Sequence, residues 1–221
     1  MSKHLQRDIE RLRKNILMLG TLVEEATDKS IKAITRTDEK MLDELFRGEE
    51  RINQMEVDIE EECLKVLALH QPVATDLRFI VAVLKVNNDL ERMGDQAINI
   101  ADRIRHLIGK TPLTGLVDFA AMGEVARRMV HLSLEALVER DVDLARRVGE
   151  MDDELDDMHA GNYDIMQEAM AKDPAIIETA VSYLTISSNL ERIGDLSTNI
   201  AEETIFMEEG DVVRHTDEMA G

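Results

Sequence analysis

Acidic and amide side chains share one face of a predicted helix near residue 95, and the same pattern recurs near residue 195. On a helix that turns about 100° per residue, positions separated by four, eight and eleven residues fall within about 80° of one another. The first stripe comprises Glu91, Asp95, Asn99 and Asp102. The second stripe comprises Glu191, Asp195, Asn199 and Glu202.

Carboxylates one helical turn apart repel each other, so a stripe of them needs an opposite charge to offset that repulsion. Arg92 and Arg192 each lie one residue step away, so we expect neither to neutralise the stripe directly. A bound cation would do so, and hard oxygen ligands favour Mg, Ca, Mn or Fe. The predicted metal ligands are Glu91, Asp95 and Asp102 at one site, and Glu191, Asp195 and Glu202 at the other, with Asp156 assisting the second.

The helix before each stripe can supply more ligands. Asn53, Glu56 and Glu60 share a face of the second predicted helix, and Asp156 with His159 occupies the matching place in the fifth. We expect the other acids of the run 151–157 to be solvated. Gly94 and Gly194, which are poor helix formers, lie inside the stripes and would admit another backbone or a ligand.

The chain contains an internal duplication. The segments DLERMGDQAINIAD, at 89–102, and NLERIGDLSTNIAE, at 189–202, agree at eight of fourteen positions. Earlier in the chain, Asp38 and Ile52 align with Asp141 and Leu155, 103 residues later. The predicted fold is all-α, with two tandem three-helix bundles related by an internal pseudo-twofold repeat. The expected units are 1–110 and 115–210, followed by a polar tail, 211–221.

Apolar spacing sets the expected helix limits. A long seam from Leu5 runs past Ile34 to Leu45, so we expect the first helix to end near Gly48. A second helix should follow from about 49 to 70, and a third should run from Pro72 to about 107. The fourth should open near Met122, the fifth should span about 152–170, and the sixth should end near 208.

Composition narrows the possible functions. A formal net charge of −20, from 46 acidic and 26 basic residues, argues against nucleic acid and anionic membranes as main partners. Basic protein surfaces and cations fit this charge better. The single cysteine, Cys63, excludes an intrachain disulfide and lies in an apolar stretch typical of a core. With no secretory signal or membrane-spanning run, the expected location is cytoplasmic.

The paired LERxGD…NIA[DE] segments and the QPVATDLR turn before the third helix resemble the PhoU family of phosphate-transport regulators. This resemblance covers about residues 5–208. It implies an all-helical, often dimeric cytoplasmic protein that represses the phosphate-starvation response. It implies partners as well, namely the ATPase subunit of the high-affinity phosphate importer and a membrane sensor histidine kinase. The second repeat departs from the pattern, because it reads DPAIIETA in place of the QPVATDLR turn.

The resemblance also implies iron, zinc, magnesium or manganese on the motif pairs Glu91 with Asp95 and Glu191 with Asp195. No catalytic constellation, phosphate loop or basic phosphate cradle is evident, so we expect no enzymatic activity. Three alternatives remain open: a structural helical scaffold, an accessory protein of a low-affinity phosphate transporter, and a carboxylate-bridged metal protein. The last uses paired Glu-x-x-His motifs, which this sequence lacks.

Overall fold

The computed structural model describes residues 3–36, 38–113 and 115–210 and forms two tandem three-helix bundles, as predicted. The first bundle contains α1 (Lys3–Thr35), α2 (Glu39–His70) and α3 (Ala74–Leu107). The second contains α4 (Phe119–Glu139), α5 (Val142–Lys172), a 3-10 turn (Pro174–Ile176) and α6 (Ile177–Glu209). The predicted tail, 211–221, lies outside the described residues. Within the described ranges, no helix combines the length and apolar character needed to cross a membrane.

The predicted end of the first helix at Gly48 is wrong. The first helix ends at Thr35, and α2 begins at Glu39 because the Asp38 carboxylate accepts a hydrogen bond from the backbone N–H of Lys40 at 2.9 Å. Such a side-chain cap satisfies a backbone donor that would otherwise lack a partner at a helix start. Gly48 lies inside α2, where an added methyl group would have no neighbour within 4 Å.

The fifth helix also begins ten residues earlier than predicted. Asp141, the residue that aligns with Asp38, accepts a hydrogen bond from the backbone N–H of Leu144 at 2.9 Å and caps α5. The middle helix of each repeat therefore begins with an aspartate N-cap. The ends of α3 and α6 agree with prediction within one or two residues, as helix ends commonly do.

The two bundles pack along α1 with α4 and along α3 with α6, and their apolar side chains form one continuous core. The α1–α4 contact is reciprocal. A methyl group placed on Gly20 would lie 2.8 Å from Leu134, and one placed on Gly123 would lie 2.5 Å from Ile31. Gly123 is the repeat equivalent of Gly20, and Leu134 is the repeat equivalent of Ile31, each 103 residues later. Residue i of one repeat therefore meets j′ of the other while i′ meets j, as a pseudo-twofold relation requires.

The α3–α6 contact carries a charge pair between the repeats, in which the carboxylate is buried and the ammonium is partly exposed. The Lys85 ammonium donates to both carboxylate oxygens of Glu203, at 3.0 and 3.1 Å, and lies 5.0 Å from the centre of the Phe206 ring. The Glu203 side chain is 2% exposed, so loss of Lys85 would leave a buried charge without this partner. As predicted, Cys63 is buried in the core, and this burial raises the pKa of its thiol to about 12.

Gly48→Ala and Gly123→Ala should change stability in opposite directions. In α2 the new methyl group meets open space, so the better helix propensity of alanine should stabilise the protein by roughly 0.5–1 kcal/mol. In α4 the methyl group overlaps the stiff β-branched side chain of Ile31, so overpacking of about 1–3 kcal/mol should exceed that gain. Urea unfolding followed by circular dichroism measures both. A stabilised Gly123→Ala variant would contradict the described α1–α4 packing.

Candidate metal centre

The fold places the two stripes of the third helices against the middle helices of their own repeats. A methyl group on Gly94 would lie 3.3 Å from Ile52, and one on Gly194 would overlap Leu155, the residue aligned with Ile52. Both glycines therefore admit a large apolar side chain from the neighbouring helix, which differs from the expected backbone or ligand. This close approach brings acids of α5 next to acids of α6.

Among the described residues, one group of three potential metal ligands has ligand atoms all within 4.8 Å of one another. It consists of Asp156, Glu191 and Asp195, three of the predicted ligands. Three carboxylate oxygens at this spacing suit a hard cation with oxygen ligands, such as Mg²⁺, Mn²⁺ or Ca²⁺. Asp156 and Asp195 are exposed, so an ion can enter from solvent.

Asp152 belongs to the same site, and the prediction that it is solvated is wrong. Its Oδ1 atom is buried without a hydrogen-bond partner among the described residues. Burial first, and then Asp156 and Asp195, raise its carboxyl pKa to about 6. We name Asp152, Asp156, Glu191 and Asp195 the second acidic site. An orphaned buried carboxylate oxygen beside three further carboxylates fits a bound cation.

The pKa values of the α6 acids rise for the same reasons. Burial, followed by the charges of Asp195 and Asp156, raises the pKa of Glu191. Burial and the charge of Asp156 raise the pKa of Asp195, and Arg192 and Arg92 oppose this rise. The two arginines do not reverse the rise, because the pKa of Asp195 stays above its ordinary value. In the metal-free protein the site favours protons, and a cation could take their place.

The first repeat holds a sparser version, which we name the first acidic site: Glu56, Glu91 and Asp95. Burial raises the pKa of all three, and the charges of Asp95 and Glu56 add to the rise at Glu91. Asn87 donates to the Glu56 backbone carbonyl at 2.9 Å and to its carboxylate at 3.4 Å. Within the described ranges, these three acids do not meet the 4.8 Å spacing found in the second repeat.

Substitutions between the repeats account for this difference. Asn53 and Glu56 of α2 align with Asp156 and His159 of α5, 103 residues later. His159 approaches the hydroxyl of Ser187 at 2.9 Å through Nδ1 and is not a member of the close carboxylate group. Ser187 aligns with Asn87, so the same α2–α3 and α5–α6 polar contact persists with different side chains.

Asp102 and Glu202 lie outside the close group. They are two turns beyond Asp95 and Asp195, about 10 Å further along their helices, which exceeds the span of one ion's ligands. Asp102 lies 3.6 Å from His106 at the surface, and Glu202 borders a hollow that Lys85 and Arg92 also line. Their roles as metal ligands stay predictions.

The fold and these residues define a duplicated helical protein with a cluster of carboxylates in each repeat. The PhoU domain family matches residues 16–104 and 119–204, one match in each bundle. The chain therefore belongs to the PhoU family, and the resemblance noted from its motifs is confirmed.

Several relatives cover nearly the whole chain. The phosphate-specific transport system accessory protein PhoU homolog of Aquifex aeolicus is 35% identical over 211 residues, with 96% of each chain covered. The Pseudomonas putida homolog is 36% identical over 217 residues, which cover 97% of this chain and 84% of that protein. Because these relatives are named as accessory proteins, the family is regulatory, and the expectation that the chain is not an enzyme is confirmed.

Solved structures agree with this assignment. The crystal structure of PhoU from Pseudomonas aeruginosa matches with a TM-score of 0.89 and 34% identity, covering 93% of this chain and 99% of that one. The phosphate transport system regulatory protein PhoU from Streptococcus pneumoniae matches with a TM-score of 0.84 and 28% identity, covering 95% and 99%.

Asp152→Asn should stabilise the metal-free protein, and the gain should depend on pH. A carboxyl whose pKa is raised from 3.8 to about 6 on folding contributes stability below about pH 4, and this is lost as the pH rises through about 6. Partial exposure screens the effect, so we expect a gain on the order of 1 kcal/mol at pH 7.5 and little at pH 4. Thermal unfolding in chelator measures it, with Asp164→Asn, an exposed residue of the same helix, as the control. A gain that does not change with pH would contradict the assigned ionisation.

Proposed function

We propose that this protein is a negative regulator of phosphate uptake and of the phosphate-starvation response. It acts as a cytoplasmic adaptor between the ATPase subunit of a high-affinity phosphate importer and a sensor histidine kinase. The observation that carries the proposal is membership of the PhoU family over both repeats, with relatives named as accessory and regulatory proteins of phosphate transport. In this proposal, the protein exerts its regulatory effect by binding protein partners.

The surface of the chain supports recognition by proteins. A net charge of −20 favours partners with basic patches and steers their association at low salt. Leu69, Val73 and Leu77 are exposed around the α2–α3 turn, with 66%, 74% and 40% of their surface accessible. Exposed apolar groups of this kind are typical of contact surfaces. A homodimer of the adaptor completes the proposal.

Metal binding is the second part of the proposal. The second acidic site takes one cation from among iron, zinc, magnesium and manganese, and its all-oxygen ligands favour magnesium, manganese or iron over zinc. The first acidic site, with fewer and more widely spaced carboxylates, binds the same ions more weakly. A bound cation relieves the carboxylate repulsion and stabilises the packing of α5 on α6.

Asp195→Asn should lower the metal content of the protein more than Asp95→Asn does. Each change removes a carboxylate charge and keeps the side-chain size, so helicity should stay the same. We expect Asp195→Asn to remove about one manganese ion per chain at ion concentrations that fill only the tighter site. Elemental analysis of protein purified without chelator or nickel measures the content, with exposed Asp157→Asn as the control. Unchanged metal in Asp195→Asn would contradict the second acidic site.

Deleting the gene should leave phosphate-starvation genes expressed in phosphate-rich medium, because the importer's state no longer reaches the kinase. A starvation-promoter reporter measures this, and the restored wild-type gene should return repression. Normal repression in the deletion strain, with no second copy of the protein present, would contradict the regulatory role. Affinity capture from phosphate-replete cells should recover the ATPase subunit or the kinase.

A further inference from the structure

The first repeat carries a groove on the face that α1 and α4 form, which we name the α1/α4 face. This face lies opposite α3 and α6, because α1 contacts α3 and α4 but not α6 among the described residues. The groove has a volume of about 540 Å³ and lies between α1 and α2. Met18 of α1 and Arg47 and Arg51 of α2 are among its lining residues, and α3 contributes none. The groove therefore opens on the α1/α4 face, along its α2 edge.

Exposed charges on the α1/α4 face reverse sign between the repeats. Three pairs of equivalent positions, 103 residues apart, combine an acid with an arginine: Glu25 with Arg128, Arg47 with Glu150, and Arg51 with Glu154. All six side chains are exposed. Within the described part of the chain, none of the six forms an ion pair within 4.0 Å. Glu25 lies about two turns beyond Met18 on the same side of α1, so it borders the groove.

Pairing within the chain does not explain the reversal on α2 and α5. Near the α1–α4 contact unlike groups do meet, as where Nδ1 of His131 lies 2.8 Å from a carboxylate oxygen of Glu24. The helices α2 and α5 lie at opposite edges of the molecule and do not contact each other in the described ranges. Arg51 of α2 therefore cannot pair with Glu154 of α5 in its own chain. Its charge fits instead an outside surface that resembles the second repeat.

We propose that the α1/α4 face binds the same face of a second copy of this chain, with the first repeat of each copy against the second repeat of the other. The inference rests on the homodimer of the proposed function and assigns its interface. The reciprocal packing of Gly20 and Gly123 places the internal pseudo-twofold axis in the middle of this face, so this axis relates the α2 edge to the α5 edge. A dimer axis that lies in the interface, at right angles to the line between the edges, sets each α2 edge against the partner's α5 edge.

The charges of this arrangement are complementary. Arg51 faces the partner's Glu154, and Glu154 faces the partner's Arg51, so each pair occurs twice per dimer. The pairs at Glu25 and Arg47 behave in the same way, and together they offset repulsion between two chains that each carry a net charge of −20. The opposite face would bring acidic sites of the same sign against each other, and their repulsion disfavours a dimer there.

The interface also gains apolar contact. Met18 is 39% exposed in the groove of the first repeat. Ile165 is 42% exposed and takes the place of Glu62, which accepts a hydrogen bond from Asn15 of α1 at 3.0 Å. Ile165 therefore lies on the α4 side of α5, on the α1/α4 face. Removal of such side chains from water favours association, and the dimer leaves both acidic sites on its outer surfaces, open to other proteins.

Charge reversal in the full chain, measured by sedimentation equilibrium, tests the interface. The wild-type protein should be a dimer whose affinity falls as salt rises. Arg51→Glu and Glu154→Arg each set like charges opposite one another at two points, so each should weaken the dimer about tenfold. Because Glu154→Arg lowers the net negative charge, general repulsion cannot cause its loss. The control Arg103→Glu reverses an exposed charge on α3 and should leave the affinity unchanged.

Complementation separates this pairing from a general effect of the substitutions. A mixture of Arg51→Glu chains and Glu154→Arg chains should form a heterodimer of about wild-type affinity, because opposite charges then face each other at both points. The double variant, with both changes in one chain, should recover in the same way. Native mass spectrometry distinguishes the heterodimer from the homodimers, and circular dichroism checks that each variant is folded.

Three results would overturn the proposal. If both single variants dimerise as tightly as the Arg103→Glu control, the homodimer stands but uses another face. If neither the mixture nor the double variant recovers affinity, the two side chains do not face each other. A monomeric wild-type protein would refute the homodimer and its interface together. The reporter assay in the deletion strain tests the regulatory role separately, because its result does not depend on the oligomeric state.

Discussion

Repulsion among carboxylates held at fixed positions is the constraint on which the second repeat depends. Asp156, Glu191 and Asp195 place ligand atoms within 4.8 Å of one another, with Asp152 partly buried behind them. The packing of Leu155 on Gly194 holds α5 close to α6, and so holds the backbones that carry these acids close together. Protons at low pH or a cation at neutral pH can offset the repulsion, so the charge state of this site and the stability of the bundle are linked.

Comparison of the two repeats distinguishes the residues that maintain the fold from those that differ between the two acidic sites. Both repeats keep the aspartate cap, the glycine on the third helix and the large apolar side chain that packs on it. Polar positions around this packing differ, since Asn53 and Glu56 of one repeat correspond to Asp156 and His159 of the other. The unequal sites thus arise from substitutions that leave the apolar contact in place.

Sequence reasoning predicted the repeat, the six helices and the third-helix stripes, because strong apolar periodicity and aligned motifs report on these directly. It missed the break after Thr35, since the apolar seam continues across it and Gly48 offered a competing stop signal. The aligned pair Asp38 and Asp141 was the available signal, as both are helix caps. Spacing within one helix could not reveal the buried oxygen of Asp152, which depends on how α5 packs on α6.

Contacts between the repeats make groups of the first bundle sensitive to the charge state of the second acidic site as well. Arg92 belongs to the first bundle and opposes the rise in the pKa of Asp195 in the second. Lys85 pairs with Glu203 across the same helix contact. A charge change in the second acidic site therefore acts on groups that both bundles supply. For the cation that we propose at this site, linkage requires that a partner which changes cation affinity by altering the placement of α3 against α6 has its own affinity changed by the cation by the same factor. Such reciprocity would give the proposed adaptor a physical means of reporting one binding event to another.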